Sequence, residues 1–287
     1  MDAVAEPAHH ASLASRLVPP SSEPLNLTLF AGERFEQLRQ GLTGGSQFAQ
    51  DRWVDNWLNA TRGGLVIESG AYGPELFSNS LFLEVARGWR CLLVEPTPEF
   101  QTNILAAHRR CHLLRGGLSP VHGRASFDLL VGQGVLNGLT ETVTVRRAAA
   151  HVTVPCFPVS QILATAGLGT TVDYWSLDTE GSELPILNHT NFGLAHGGIE
   201  VGVLAVEHSS AVKRRQVAEL LHAKGLRRVS CQDTDDFFVD PSYFERRGLP
   251  LPSSASVPSF DPHLSVIQEV RKGRWRHGPC PRDALGS

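Results

Sequence analysis

Four carboxylates close short apolar runs: Glu68 after LVI, Glu95 after CLLV, Asp178 after YWSL and Glu207 after VLAV. One acid at such a place is ordinary, as a helix cap or a first-turn charge. Four of them point to a shared polar crevice, because ligands of open α/β sheets bind outside the carboxyl ends of the strands. The first turn, Glu68-Ser69-Gly70-Ala71-Tyr72-Gly73-Pro74, lets the chain bend tightly at Gly70 but is not a GxGxxG loop, since Tyr72 stands two places after Gly70. A pyrophosphate needs small residues and close-approaching amides there, which disfavours NAD. A nucleoside gripped through its ribose tolerates the bulk. Glu95 ends the second run, where a carboxylate can accept both ribose hydroxyls. Together these features suit S-adenosylmethionine better than NAD. Methyl transfer to an alcohol needs a base near the methyl group, and Asp178 and His208 are the candidates. Asp178 with Glu180 could hold Mg²⁺, but no third ligand is placed and no metal is expected.

These residues need a scaffold that brings the run ends together. LVIES, RCLLVE, CHLLRG, DYWSLD and VGVLAVE read as strands. Between the first two, Leu76, Phe77, Leu81, Phe82 and Val85 recur at helical spacing. PEFQTNILAAHRR, SELPILNHT, AVKRRQVAELLHAKG and the stretch after VTVPCFPV supply further helices. RASFDLLVG and a Val/Thr-rich stretch around Thr142 to Val145 read as a hairpin, and RRVSCQ with DDFFVD as a terminal one. The alternation predicts an α/β fold: a mostly parallel, doubly wound sheet, covered on both faces, with a terminal antiparallel hairpin strand.

Composition bounds the rest. The 287 residues suffice for one large domain without disulfides or a metal. Twenty-six basic residues against 29 acidic ones give a net charge of −3, which excludes a whole-domain footprint for nucleic acid. No apolar run approaches the ~20 residues of a membrane span. The opening MDAVAEPAHHASLAS has no basic n-region or apolar h-region, so no cleaved secretion signal is expected. Cys91, Cys111, Cys156, Cys231 and Cys280 form no CxxC pair, and most sit in apolar surroundings. They read as small buried hydrophobes in a reducing compartment, and the cytoplasm is the expected location. Three N-x-S/T matches, at Asn26, Asn59 and Asn188, mean little without secretion. Residues 1–25 read as a disordered arm, 26–247 as the domain, and 248–287 as a Pro/Ser-rich then basic tail.

SQFAQDRWVDNWL, VIESGAYGPELFSNSLFLE, CLLVEPTPEF, GGLSPVHGRASF, VPCFPVSQIL, DYWSLDTEGSELPIL, VLAVEHSS, LLHAKGL and DTDDFFVDPSYF resemble, in order and spacing, the FkbM family of methyltransferases. The resemblance runs from Ser46 to Asp240, and SNSLFLE and SLDTEGSELPIL are its most specific pieces. It implies a Rossmann-like class I methyltransferase fold, S-adenosylmethionine as donor, and O-methylation of a hydroxyl on a small molecule or sugar. Position by position, Glu68, Gly70 and Ala71 match the first cofactor loop, and Ser78 and Asn79 the start of the helix beneath it. Glu95 matches the ribose carboxylate, while Leu118 and Ser119 match the place where the adenine lies. Asp178, Glu180 and Gly181 match the acidic loop facing cofactor and acceptor; Glu207 and His208 match the end of the fifth strand. The family commonly has Asp-Gly where this chain has Gly73-Pro74, and Pro74 lacks an amide donor. That departure keeps a second reading open, a catalytically inactive methyltransferase-like binding module.

Overall fold

The computed structural model describes residues 24–30, 32–40, 45–130, 138–139, 148–208, 210–232 and 234–252. The expected arm before residue 24, the tail beyond 252 and the stretch Thr142 to Val145 lie outside these residues. The chain opens with β1 (Leu27–Leu29), α1 (Phe35–Gln40), β2 (Gly45–Ser46) and α2 (Gln50–Trp57). It continues through β3 (Leu65–Ser69), β4 (Leu76–Phe77), α3 (Leu81–Arg87), β5 (Arg90–Glu95), α4 (Pro98–Ala107) and β6 (His112–Arg115). An insertion follows, made of β7 (Gly117–Leu118), β8 (Gly123–Leu130), β9 (Gly138–Leu139) and β10 (Ala148–Phe157). Then come α5 (Val159–Ala166), β11 (Thr171–Leu177), α6 (Glu183–His189), β12 (Glu200–Glu207) and α7 (Ala211–Ala223). β13 (Arg227–Gln232), β14 (Asp235–Val239) and α8 (Pro241–Arg246) complete it.

The main sheet has eight strands in the order β1-β6-β5-β3-β11-β12-β14-β13. The five strands from β6 to β12 are parallel, and β1, at one edge, runs against β6. β14 runs against β12 and pairs with β13, the expected terminal hairpin. Side chains alternate between two buried faces, as period-two strands covered on both sides must. Ile67, Leu92, Trp175 and Leu204 pack under α5, α6 and α7. Val66, Leu93, Tyr174 and Val203 pack under α2, α3, α4 and α8. Chain order departs in opposite directions from β3, so the switch point lies between β3 and β11. Among the described residues no helix is long and apolar enough to cross a membrane.

Two expectations change. Leu76 and Phe77 form β4, paired with β2, rather than the first turn of a helix. The cause is Glu68, whose carboxylate takes the Asn79 amide and the Ser78 and Ser80 hydroxyls and pins the chain until α3 starts at Leu81. β8 pairs antiparallel with both β9 and β10 in a second sheet ordered β7-β10-β8-β9, while the stretch Thr142 to Val145 expected to partner it lies outside the described residues. The cysteines are not uniformly reduced. Parallel pairing sets Leu92 opposite His112 and so brings Cys91 to Cys111, which form a disulfide with Cα atoms 4.8 Å apart. Cys231 is disulfide-bonded as well, whereas Cys156 is a free buried thiol, pushed up to about 12 by burial.

Candidate active site

β3 carries Glu68 to the switch point, where it is 2% exposed. Its Oε2 accepts from the Ser78 hydroxyl at 2.9 Å and from the Ser80 hydroxyl, and its Oε1 accepts from the Asn79 amide at 2.6 Å. Burial raises its carboxyl; the Arg109 guanidinium and these donors act the other way. Gly70 follows with φ +82°, and a Cβ there would run into the Asp178 carbonyl oxygen. Only glycine allows this approach. The Asp178 amide in turn donates to the Ser69 carbonyl at 3.1 Å, so the loops after β3 and β11 touch.

Arg109 completes the first loop, and sequence reasoning missed it. Its guanidinium is fully buried and donates to Glu84 Oε2 at 2.8 Å, the Pro74 carbonyl at 2.8 Å, Ser78 Oγ at 2.9 Å and Ser80 Oγ at 2.8 Å. The Gly73-Pro74 turn is thereby tied down through the Pro74 carbonyl. The Asn79 side chain donates to Ser176 Oγ at 3.0 Å, leaving its own Oδ1 buried with no hydrogen-bond partner among the described residues.

Glu95 ends β5 beside this turn and is 3% exposed. It accepts the Tyr72 amide at 2.8 Å on Oε2 and the Thr97 amide at 2.7 Å on Oε1. The Thr97 hydroxyl also donates to it, and since a carboxylate offers about four acceptor positions, one stays open for a ribose hydroxyl. Burial pushes its carboxyl up to about 7, against the pull of the Thr97 and Tyr72 amides. Tyr72 also stacks on Phe77 and meets Phe100 edge-on, which walls this side of the crevice. Leu118 and Ser119, placed by sequence near the adenine, are both buried; the Ser119 amide and hydroxyl donate to the Phe157 and Val121 carbonyls.

At the ends of β11 and β12 the structure brings Asp178, Glu180 and Glu207 together, with one oxygen of each within 4.8 Å of the others. Burial raises the Asp178 carboxyl well above the usual range, and Glu207 and Glu180 add to the shift. Like charges this close cannot all ionise, so at least one proton is held here at neutral pH. Glu180, at φ +55°, is pushed up to about 8 by burial and then by Glu207 and Glu183, against the pull of Lys213. Glu183 orders the turn, accepting from the Thr179 amide and hydroxyl and the Gly181 amide. Asp178 Oδ1 is buried with no hydrogen-bond partner among the described residues. Glu207 is the third oxygen donor that the sequence reading lacked, and such a trio suits a hard divalent cation as well as a proton.

His208 lies elsewhere in the network. Its side chain is 2% exposed, with Nε2 3.3 Å from Asp236 Oδ2. Asp236, wholly buried, also meets Arg228 at 2.7 Å and Arg214 at 3.2 Å. A further polar group lines the α2 side: Asp51, Tyr174 and Ser176, of which only the last touches a residue singled out from the sequence. Only the alternation of β11, which puts Tyr174 and Ser176 on one face, hinted at it.

These features fit S-adenosylmethionine. The orphaned acceptors Asn79 Oδ1 and Asp178 Oδ1 suit its cationic end, the open position on Glu95 suits a ribose hydroxyl, and Gly70 leaves room for close approach. Residues 68–239, well over half of the chain, match the Methyltransferase FkbM domain. No curated protein matches the sequence. Among solved structures, a precorrin-6y C5,15-methyltransferase from Geobacter metallireducens is similar at 10% identity, over 66% of this chain and 84% of that one, with a TM-score of 0.38. A TehB-like methyltransferase from Corynebacterium glutamicum is 14% identical over 72% of this chain and 95% of its own, with a TM-score of 0.37. An FkbM methyltransferase from Methylobacillus flagellatus is 14% identical over 71% of this chain and 57% of its own, with a TM-score of 0.38. The family match, on a doubly wound sheet whose switch point carries the Gly70 turn, means that this chain belongs to the FkbM methyltransferases, a family membership that implies S-adenosylmethionine as methyl donor.

Proposed function

We propose that this chain methylates a hydroxyl oxygen on a small molecule or sugar. The observation that carries the reading is the convergence of Asp178, Glu180 and Glu207 at the strand ends, with Asp178 Oδ1 buried and without a hydrogen-bond partner among the described residues. When bound, S-adenosylmethionine supplies an already activated methyl group, so the protein's task is to position the acceptor and take its proton. Asp178 accepts that proton in its ionised form, and Glu207 and Glu180 raise its basicity. Glu95 holds the ribose, Asn79 faces the methionine end, and the Gly70-Ala71 turn supports the cofactor. Leu118 and Ser119 flank the adenine. His208, held against Asp236, is the second candidate for the base, and its burial there favours a positioning role. The Gly73-Pro74 turn favours a second reading, a binding module without turnover.

Cofactor affinity should depend on pH through Glu95. A ribose hydroxyl donates to the ionised carboxylate, and the group titrates near 7 before binding. Affinity for S-adenosylhomocysteine should therefore weaken as pH falls through about 7, approaching tenfold per unit below it. Glu95→Gln should bind more weakly and lose this dependence. Titrations at several pH values check it, and a slope retained in Glu95→Gln would assign the titration elsewhere.

A further inference from the structure

We infer that this domain matures in an oxidising compartment that also transfers glycans, with Cys91 joined to Cys111 and with Asn59 and Asn188 carrying N-linked oligosaccharide. Two independent observations lead there. The first is sulfur chemistry. Cys91 and Cys111 are each 1% exposed, and Cys231 is disulfide-bonded too, leaving Cys156 as the free thiol among the described residues. Buried thiols are inert once folded, so such pairs form as the chain folds, where the surroundings are oxidising. This replaces the cytoplasmic expectation, which had rested on reduced cysteines. The inference concerns where the domain folds, whatever segment carries it there.

The second observation is where the acceptor motifs sit. Asn59-Ala60-Thr61 follows α2, and Asn188-His189-Thr190 ends α6; both asparagines are exposed. Neither side-chain amide has a hydrogen-bond partner among the described residues, so a glycan displaces no contact. Asn59 precedes β3, and α6 leaves the carboxyl end of β11 and runs back across the sheet. Both sites therefore stand toward the amino ends of the strands, opposite the crevice, and glycans there would leave it open. Asn26 differs: its Oδ1 accepts from the Arg115 guanidinium beside the carboxyl end of β6, and we leave it out.

In the modification, the asparagine Nδ2 bonds to the anomeric carbon of a lipid-diphosphate-linked oligosaccharide. The lipid diphosphate leaves, and the amide gives up one proton. Disulfide formation removes two protons and two electrons from the thiols, accepted by a disulfide-bearing oxidase of that compartment.

The test uses the full chain isolated from its own cells. Thiols are alkylated without reduction, and the protein is then deglycosylated by peptide N-glycosidase in heavy-oxygen water. Peptide mass spectrometry should find labelled aspartate at position 59, 188 or both, and Cys91 and Cys111 alkylated only after reduction. Asn59→Gln with Asn188→Gln should abolish the mobility shift on deglycosylation while the protein stays folded. Unlabelled asparagine at both positions, or alkylation of Cys91 and Cys111 without reduction, would overturn the inference. Neither outcome bears on methyl transfer, which this experiment does not read.

Discussion

Replacing Arg109 by methionine should remove about 3–5 kcal/mol of folding stability, the usual cost of breaking a buried ion pair from one side. The guanidinium and Glu84 are both 1% exposed and 2.8 Å apart, so solvent screens neither charge once its partner is gone. The loss would spread further than the pair. Pro74, Ser78 and Ser80 all receive hydrogen bonds from Arg109, and the last two are also the clamps of Glu68. The loop carrying Asn79 should loosen as well, and cofactor affinity should fall with stability. Denaturant titration of the variant checks the first part. A loss below ~1 kcal/mol, the range of exposed pairs, would mean that Arg109 does not organise the loop.

Asp178→Asn should lower turnover by about 10²–10⁴ with little change in cofactor affinity, if Asp178 takes the acceptor's proton. Asparagine keeps the shape but cannot accept that proton. The rival explanation, that Asp178 caps α6, has little structural support. Ser182 stands at the cap position of α6, and Glu183 supplies the acceptors for the turn. Capping would in any case survive the change, since asparagine caps about as well as aspartate. Activity with an identified acceptor, measured beside denaturation, separates the two. Full activity in Asp178→Asn would remove Asp178 from the chemistry.

The parallel strands were legible because each is a short apolar run bounded by a turn, a pattern set by burial on both sheet faces. Glu68, Glu95, Asp178 and Glu207 were legible because they end those runs. Arg109 was not. His108, Arg109 and Arg110 look alike as the polar end of a helix, yet Arg109 is buried while Arg110 is exposed over the Phe35 ring. The difference is Glu84, 25 positions earlier, which only the fold brings near. Cys91 and Cys111 hid for a similar reason, since their pairing depends on the register of β5 against β6. Leu76 and Phe77 fit a helical period, and the hydrogen bonds of Glu68 overrode it. The convergence of Glu180 with Asp178 and Glu207 needed the left-handed turn at Glu180, which nothing in its residue type announces.

The cofactor crevice at the β3–β11 switch point is tested most directly by equilibrium dialysis of the folded full chain against labelled S-adenosylhomocysteine. Occupancy should approach one per chain. In Glu95→Ala the affinity should fall by roughly ten- to a hundredfold, the worth of a charge-assisted hydrogen bond of about 1.5–3 kcal/mol. No binding by wild-type protein that unfolds cooperatively would contradict the cofactor site and leave the module without turnover as the better reading. Binding that Glu95→Ala leaves unchanged would place the ribose elsewhere.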